Sequence, residues 1–225
     1  STYLLKMSIK ISLKKSISPK LVKNYVLFCD ENFKINGLSN LNLKNQSTAI
    51  NKAIDIDKSN KKHFLKFNIN PAQKIILIKI KKTNLSVDNE KIGGKFFDFI
   101  KNNSINDLSL FNNNIKTTLQ KNRNFLDEFL HGVQLKSYIF KKYKSKKNEE
   151  IFNFYISSDN KTLNFNNSRR YNSLIEGTNL TKDLVSEPGN ILHPDEYAKR
   201  LTQLKKIGLK VTIFDKKKLK DLGMN

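Results

Sequence analysis

Lys74-Ile-Ile-Leu-Ile-Lys-Ile80 is the stretch that most narrows what this chain can become. In a strand, the four consecutive aliphatic side chains from Ile75 to Ile78 point alternately to opposite faces. A strand apolar on both faces needs cover on both, as in a sheet lying between helical layers. The run is also the longest uninterrupted aliphatic one, far short of the ~18 apolar residues of a membrane span. A membrane protein is therefore not expected.

The surrounding pattern agrees with a layered α/β protein. Ile9, Ile11 and Leu13 alternate with Ser8, Lys10 and Ser12, the signature of a half-buried strand, and Pro19 breaks it. Further strands are expected over residues 25–29, 108–111, 151–156 and 209–214. Helices are expected over 45–60, over a segment capped by Asp88 with Ile92, Phe96, Phe99 and Ile100 at helical spacing, over 124–142 and over 168–187. Pro194 opens another helix, where its missing N–H costs nothing, and Asp195 and Glu196 complement its dipole. Asp215 caps a final short helix that stops at Gly223. Asn36-Gly37 reads as a turn. Strands alternating with helices make α/β layers.

At 225 residues the chain fits one large domain or two small ones. The expected division is a compact α/β unit over 7–158, a linker and helix over 159–187, and the beginning of a second unit over 188–225. Residues 159–167 are polar, a natural hinge, and 141–147 form a basic loop. Residues 1–6 precede Met7, which fits as the true start, and nothing near it reads as a signal peptide.

Lys and Arg number 42 against 20 Asp and Glu, a formal charge of +22. Such an excess suggests attraction to nucleic acid. Yet only Arg123, Arg169, Arg170 and Arg200 are arginine, the residue suited to bidentate phosphate contacts. Lys, Asn and Ile, all abundant here, are residues of A/T-rich codons, and the bias runs evenly along the chain. Codon bias accounts for the charge better than a dedicated binding stripe does. Non-specific nucleic-acid binding stays as the alternative, a basic DNA-binding or assembly module.

Reactive residues form no pattern. The single cysteine, Cys29, lies in an apolar run and excludes both a disulfide framework and a Cys-rich zinc site. Ile92-Gly93-Gly94-Lys95 faintly resembles the end of a phosphate loop. It lacks a Gly five residues before Gly94 and has Phe96 where Ser or Thr would hold magnesium, so both glycines are expected to pack a helix against the sheet. His63, His131 and His193 are scattered and fit caps or packing. Asp127-Glu128 and Glu149-Glu150 are adjacent pairs, which do not face each other on a helix, and are expected to be solvated. By chemistry alone, no residue is assigned a catalytic, metal-binding or substrate-binding role.

Two stretches carry a resemblance. Residues 128–147, with Gly132, Leu135, Tyr138, Phe140, Tyr143 and Lys144 in register, are similar to the pattern EG-x-x-L-x-x-Y-x-F-x-x-YK-x-KK of the leucyl aminopeptidase (cytosol aminopeptidase) family, M17. His131 stands where that family usually has Glu or a similar residue. Residues 176–198 are similar to its G-x-N-x-ARDLVNEP-x-N-x-L-TP-x-x-LA, with Gly189 and His193 departing from it, and residues 209–224 resemble GLKVEVLDEKDLEKLGM. The resemblance implies an N-terminal α/β domain of macro-domain-like shape, with a mixed sheet flanked by helices, then a linking helix and the first elements of an α/β peptidase domain. It implies a cytoplasmic, homohexameric parent enzyme that releases N-terminal residues such as leucine from peptides, using two divalent ions, manganese or zinc. The family's GKG-x-x-x-D-x-GG and NTDAEGR motifs, which hold those ions, do not occur here. The chain is therefore expected to be a fragment that binds no metal. A nucleotide pocket would follow from the macro-like shape by fold analogy alone, and no Gly-rich phosphate loop supports it.

Overall fold

The structure, a computed structural model, describes residues 9–41, 43–57, 63–81, 83–118, 124–140, 142–143, 150–157 and 168–224. The chain divides into two compact units, residues 1–175 and 176–225.

The first unit is built on a six-stranded sheet. Its strands are β1 (Ile9–Lys14), β2 (Asn24–Cys29), β3 (Phe64–Asn70), β4 (Gln73–Lys79), β5 (Asp107–Phe111) and β6 (Phe152–Ser157), in the order β1-β6-β5-β2-β4-β3. All neighbouring pairs are parallel except β3 with β4. The expected mixed sheet is present. Among the described residues five α-helices accompany it: α1 (Ser47–Asp57), α2 (Ser86–Asn102), α3 (Asn112–Thr118), α4 (Phe125–Ser137) and α5 (Ser168–Ser186), the last running on into the second unit.

The double-faced β4 has the two covers its sequence demands. Ile76 and Ile78, with Val26 and Phe28 of β2, join one core with Phe96 and Ile100 of α2 and Phe129 and Val133 of α4. Ile75 and Leu77, with Tyr25, Leu27 and Cys29, join a second core with Ile50 and Ile54 of α1. Both strands are buried at their centres because each alternate residue meets a different helical layer.

Several expectations change in detail. In β1 only Ile9 is buried; Ile11 and Leu13 are exposed, because β1 lies at the sheet edge with β6 as its one neighbour among the described residues. Asp88 is not the N-cap of α2. It lies inside the first turn, where its carboxylate accepts the Leu85 N–H at 3.0 Å, so an acidic first-turn residue is the better description. The helix expected over 124–142 ends at Ser137, since Tyr138 turns to extended backbone (φ −60°, ψ 130°). Residues 209–214 pair with no strand among the described residues. The hinge 159–167, and most of the basic loop 141–147, lie outside the described residues.

Two elements were not anticipated. The hairpin strand β3 is linked to β4 by an Asn-Pro turn in which Asn70 Oδ1 accepts the Ala72 N–H at 2.9 Å. The short α3 follows β5 directly. Its Asn114 is fully buried and serves β2 as a substitute strand: Oδ1 accepts the Phe28 N–H at 2.7 Å, and Nδ2 donates to the Phe28 carbonyl at 3.1 Å. Nδ2 also donates to the Asn36 carbonyl at 2.8 Å, presented by the turn at Gly37 (φ +83°).

The second unit contains α6 (Pro194–Thr202), a 3-10 turn (Gln203–Ile207) and α7 (Lys216–Asp221). As expected, Pro194 opens α6 and the Asp215 carboxylate caps α7, accepting the Lys218 N–H at 2.8 Å.

Candidate functional site

The motif around Gly132 lies where α2 and α4 cross. A Cβ at Gly93 would collide with the Phe129 carbonyl, and one at Gly132 with the Glu90 carbonyl. Gly93 thus packs a helix against a helix, not against the sheet as expected. Since Gly93 and Gly94 sit inside α2, their N–H groups are spent on the helix and cradle no phosphate.

A polar cluster surrounds this crossing. Glu128 is buried, correcting the expectation of a solvated pair. One of its oxygens accepts the Ser86 hydroxyl and the other the Asn89 amide, both at 2.7 Å. Burial, then the charge of Glu128, pushes the Asp127 carboxyl up to about 6. His131 is buried, its Nδ1 3.0 Å from Glu90 Oε1 and its ring 4.9 Å from that of Tyr171. Its Nε2 has no partner among the described residues. The phenol of Tyr171 is held above its usual range by burial and by Glu128 and Glu90. With both Glu128 oxygens engaged by Ser86 and Asn89, the arrangement joins helices. His131 is a packing residue, as expected. His193 precedes α6 as its N-cap residue without a side-chain bond to it, and His63 is exposed.

A cavity of about 130 Å³ opens where β1, β5 and β6 end, lined among others by Ser16, Tyr25, Phe111, Asn112 and Ser157; none of the described residues on its wall is charged. Open α/β sheets bind ligands where the strand order reverses, here between β2 and β5. Asn114 and the Thr118 hydroxyl, 3.3 Å from the Phe28 carbonyl, fill that crevice. Cys29 is buried and its thiol pushed up to about 12, first by burial and then by Asp30, which leaves it unreactive.

In the second unit, the second motif supplies an ion-pair clamp. Arg200 Nη1 is 2.7 Å from Glu187 Oε1, and Arg200 Nε is 3.0 Å from Glu196 Oε1. The Glu187 side chain is 1% exposed, so an arginine able to donate from two edges is what makes its burial tolerable. Among the described residues no group of three or more His, Cys, Asp or Glu side chains could hold a metal ion. They therefore do not fit a two-metal centre, which needs several converging oxygen or nitrogen ligands.

The fold defines the class first. A variant of tomato leucine aminopeptidase superposes with a TM-score of 0.70 at 17% identity, over 96% of this chain and 46% of that one. The cytosol aminopeptidase of Coxiella burnetii gives 0.60 at 13% identity, over 95% and 41%. The chain thus shares the fold of part of these two aminopeptidases. Sequence then makes the likeness particular. The probable cytosol aminopeptidase of Phytoplasma mali is 39% identical over 103 residues, which is 43% of this chain and 21% of that protein. The one from Methylorubrum extorquens is 33% identical over 102 residues, 43% and 20%. No protein-family model matches the chain. The resemblance to cytosol aminopeptidases holds, and the chain spans about a fifth of the length of the curated relatives it matches.

Proposed function

We propose that this chain is the N-terminal part of a metallo-aminopeptidase that releases N-terminal amino acids, leucine among them, from peptides. The observation that carries this reading is the 39% identity to the Phytoplasma mali protein, supported by the shared fold. In this reading, residues 7–158 are the N-terminal domain, 159–187 the linker and interdomain helix, and 188–225 the first elements of the catalytic domain. The parent works in the cytoplasm as a hexamer on two divalent ions, manganese or zinc. The described residues do not fit those ions, so no catalytic step is assigned to this chain. Its own contribution is architectural.

The test is hydrolysis of leucine p-nitroanilide. The purified 225-residue chain is expected to be inactive with or without added manganese, and the parent polypeptide active. Turnover by the chain alone, or an inactive metal-loaded parent, overturns the reading.

A further inference from the structure

The cavity of about 130 Å³ in the first unit has no part in the function proposed above. It is walled by the connection from β1 to β2, through Ser16 and Val22, and by Phe111 and Ser157, the last residues of β5 and β6. Open α/β sheets take ligands at the carboxyl ends of their strands. Asn114 and Thr118 fill the crevice where the strand order reverses; the neighbouring space beside β5 and β6 is a cavity. Two polar side chains on its wall point to a ligand. Asn112 and Ser157 are each 7% exposed. Neither the Asn112 amide nor the Ser157 hydroxyl has a hydrogen-bond partner among the described residues. Asn114, two residues further on, makes three hydrogen bonds within the protein. Burying a polar group without a partner costs stability, and native proteins leave few such groups.

The rest of the wall narrows the class of ligand. Tyr25 and Phe111, stacked with ring centroids 5.6 Å apart, give it aromatic surface, on which a planar ring packs well. None of the described wall residues is charged. A phosphate, a carboxylate or an ammonium group would lose its water there with no ion to pair with. Free leucine and peptide ends, being charged, do not fit. Pockets for drug-sized ligands start at about 300 Å³, whereas a cavity of about 150 Å³ holds benzene, so this one takes a single ring.

We propose that this cavity binds a neutral single-ring heterocycle with an amide-like edge, a pyrimidine base of the uracil type. The Asn112 side chain offers an acceptor and a donor side by side, matching the N–H and C=O that such a ring carries next to each other. Ser157 supplies one further donor or acceptor, and Tyr25 and Phe111 pack the ring. The proposal does not depend on the aminopeptidase reading.

The test titrates the full 225-residue chain, isotope-labelled for NMR, with uracil, toluene, inorganic phosphate and leucine in turn. Uracil is expected to bind with a Kd of about 1 mM or tighter, shifting the amide signals of Phe111, Asn112, Asn113 and Ser157. Toluene, a ring without a polar edge, should bind about tenfold more weakly or worse. Phosphate and leucine should leave these signals unmoved. Asn112→Leu should weaken uracil binding about tenfold or more, and Ser157→Ala about fivefold. Because neither side chain has a partner to lose, neither substitution should lower the melting temperature of the unliganded chain. A uracil Kd beyond about 10 mM leaves the cavity to water and overturns the proposal. Shifts confined to other residues, toluene binding as tightly as uracil, or phosphate or leucine moving the same signals also overturn it. So does either variant that binds uracil like the parent chain, or that melts lower, since its side chain would then serve the fold and not a ligand.

Discussion

Asp127 and Glu128 are neighbours in the chain and opposites in circumstance. Glu128 is buried and doubly hydrogen-bonded, whereas the Asp127 carboxyl is partly buried beside it and rises to about 6. Nothing local in the sequence reveals this, because Ser86 and Asn89 lie 42 and 39 positions away from Glu128. Asp127 has a pH consequence. Its folded value lies above its ordinary value of 3.8, so the folded chain holds that proton more tightly than the unfolded chain does. Raising the pH from about 4 to about 6 therefore removes stability, and the loss stays constant above. Asp127→Asn does not titrate. Its melting temperature relative to the parent chain should climb between pH 4 and pH 7, and a gap that is constant or shrinks contradicts the assignment.

At the scale of elements, legibility follows how much of an element's environment is written within it. β2 and β4 are recognisable because their own residues are apolar on both faces. The helical spacing of Phe96 and Ile100 likewise marks the core side of α2. β3, with Lys66, Asn68 and Asn70 among its residues, shows no such run, and Asn112-Asn113-Asn114 reads locally as a turn. Only the fold shows that α3 starts there and completes the β2 edge. The role of Asn114 can be tested by pairing two substitutions. Asn114→Leu leaves the buried Phe28 N–H without its acceptor, a loss of about 1–3 kcal/mol. Asn114→Asp restores an acceptor for that N–H but sets a carboxylate against the Phe28 and Asn36 carbonyls. Urea unfolding at pH 7 should rank Asp below Leu in stability. The reverse order would mean that setting a carboxylate against the two carbonyls costs less than leaving the Phe28 N–H without its acceptor.

For the molecule as a whole, the two units differ in what holds each together. The first has apolar cores on both faces of its sheet. The second has short helices, the Arg200 clamp and exposed apolar side chains, with no buried hydrophobic residue among those described. Proteolysis reads local opening, which is least costly where few apolar contacts must be broken. Under limiting trypsin, cleavage should therefore begin within residues 159–225, where Lys205, Lys206, Lys210 and Lys216 offer exposed sites. A resistant product should begin near Met7 and retain residues through β6. Lysine is frequent in both units, so abundance of cleavage sites alone would cut both at similar rates, and the order of cleavage isolates the difference in packing. Mass spectrometry of the first products decides the matter. A first product that has lost its N-terminal strands while keeping residues 176–225 would show that the second unit has a core of its own, and the division argued from burial would fall.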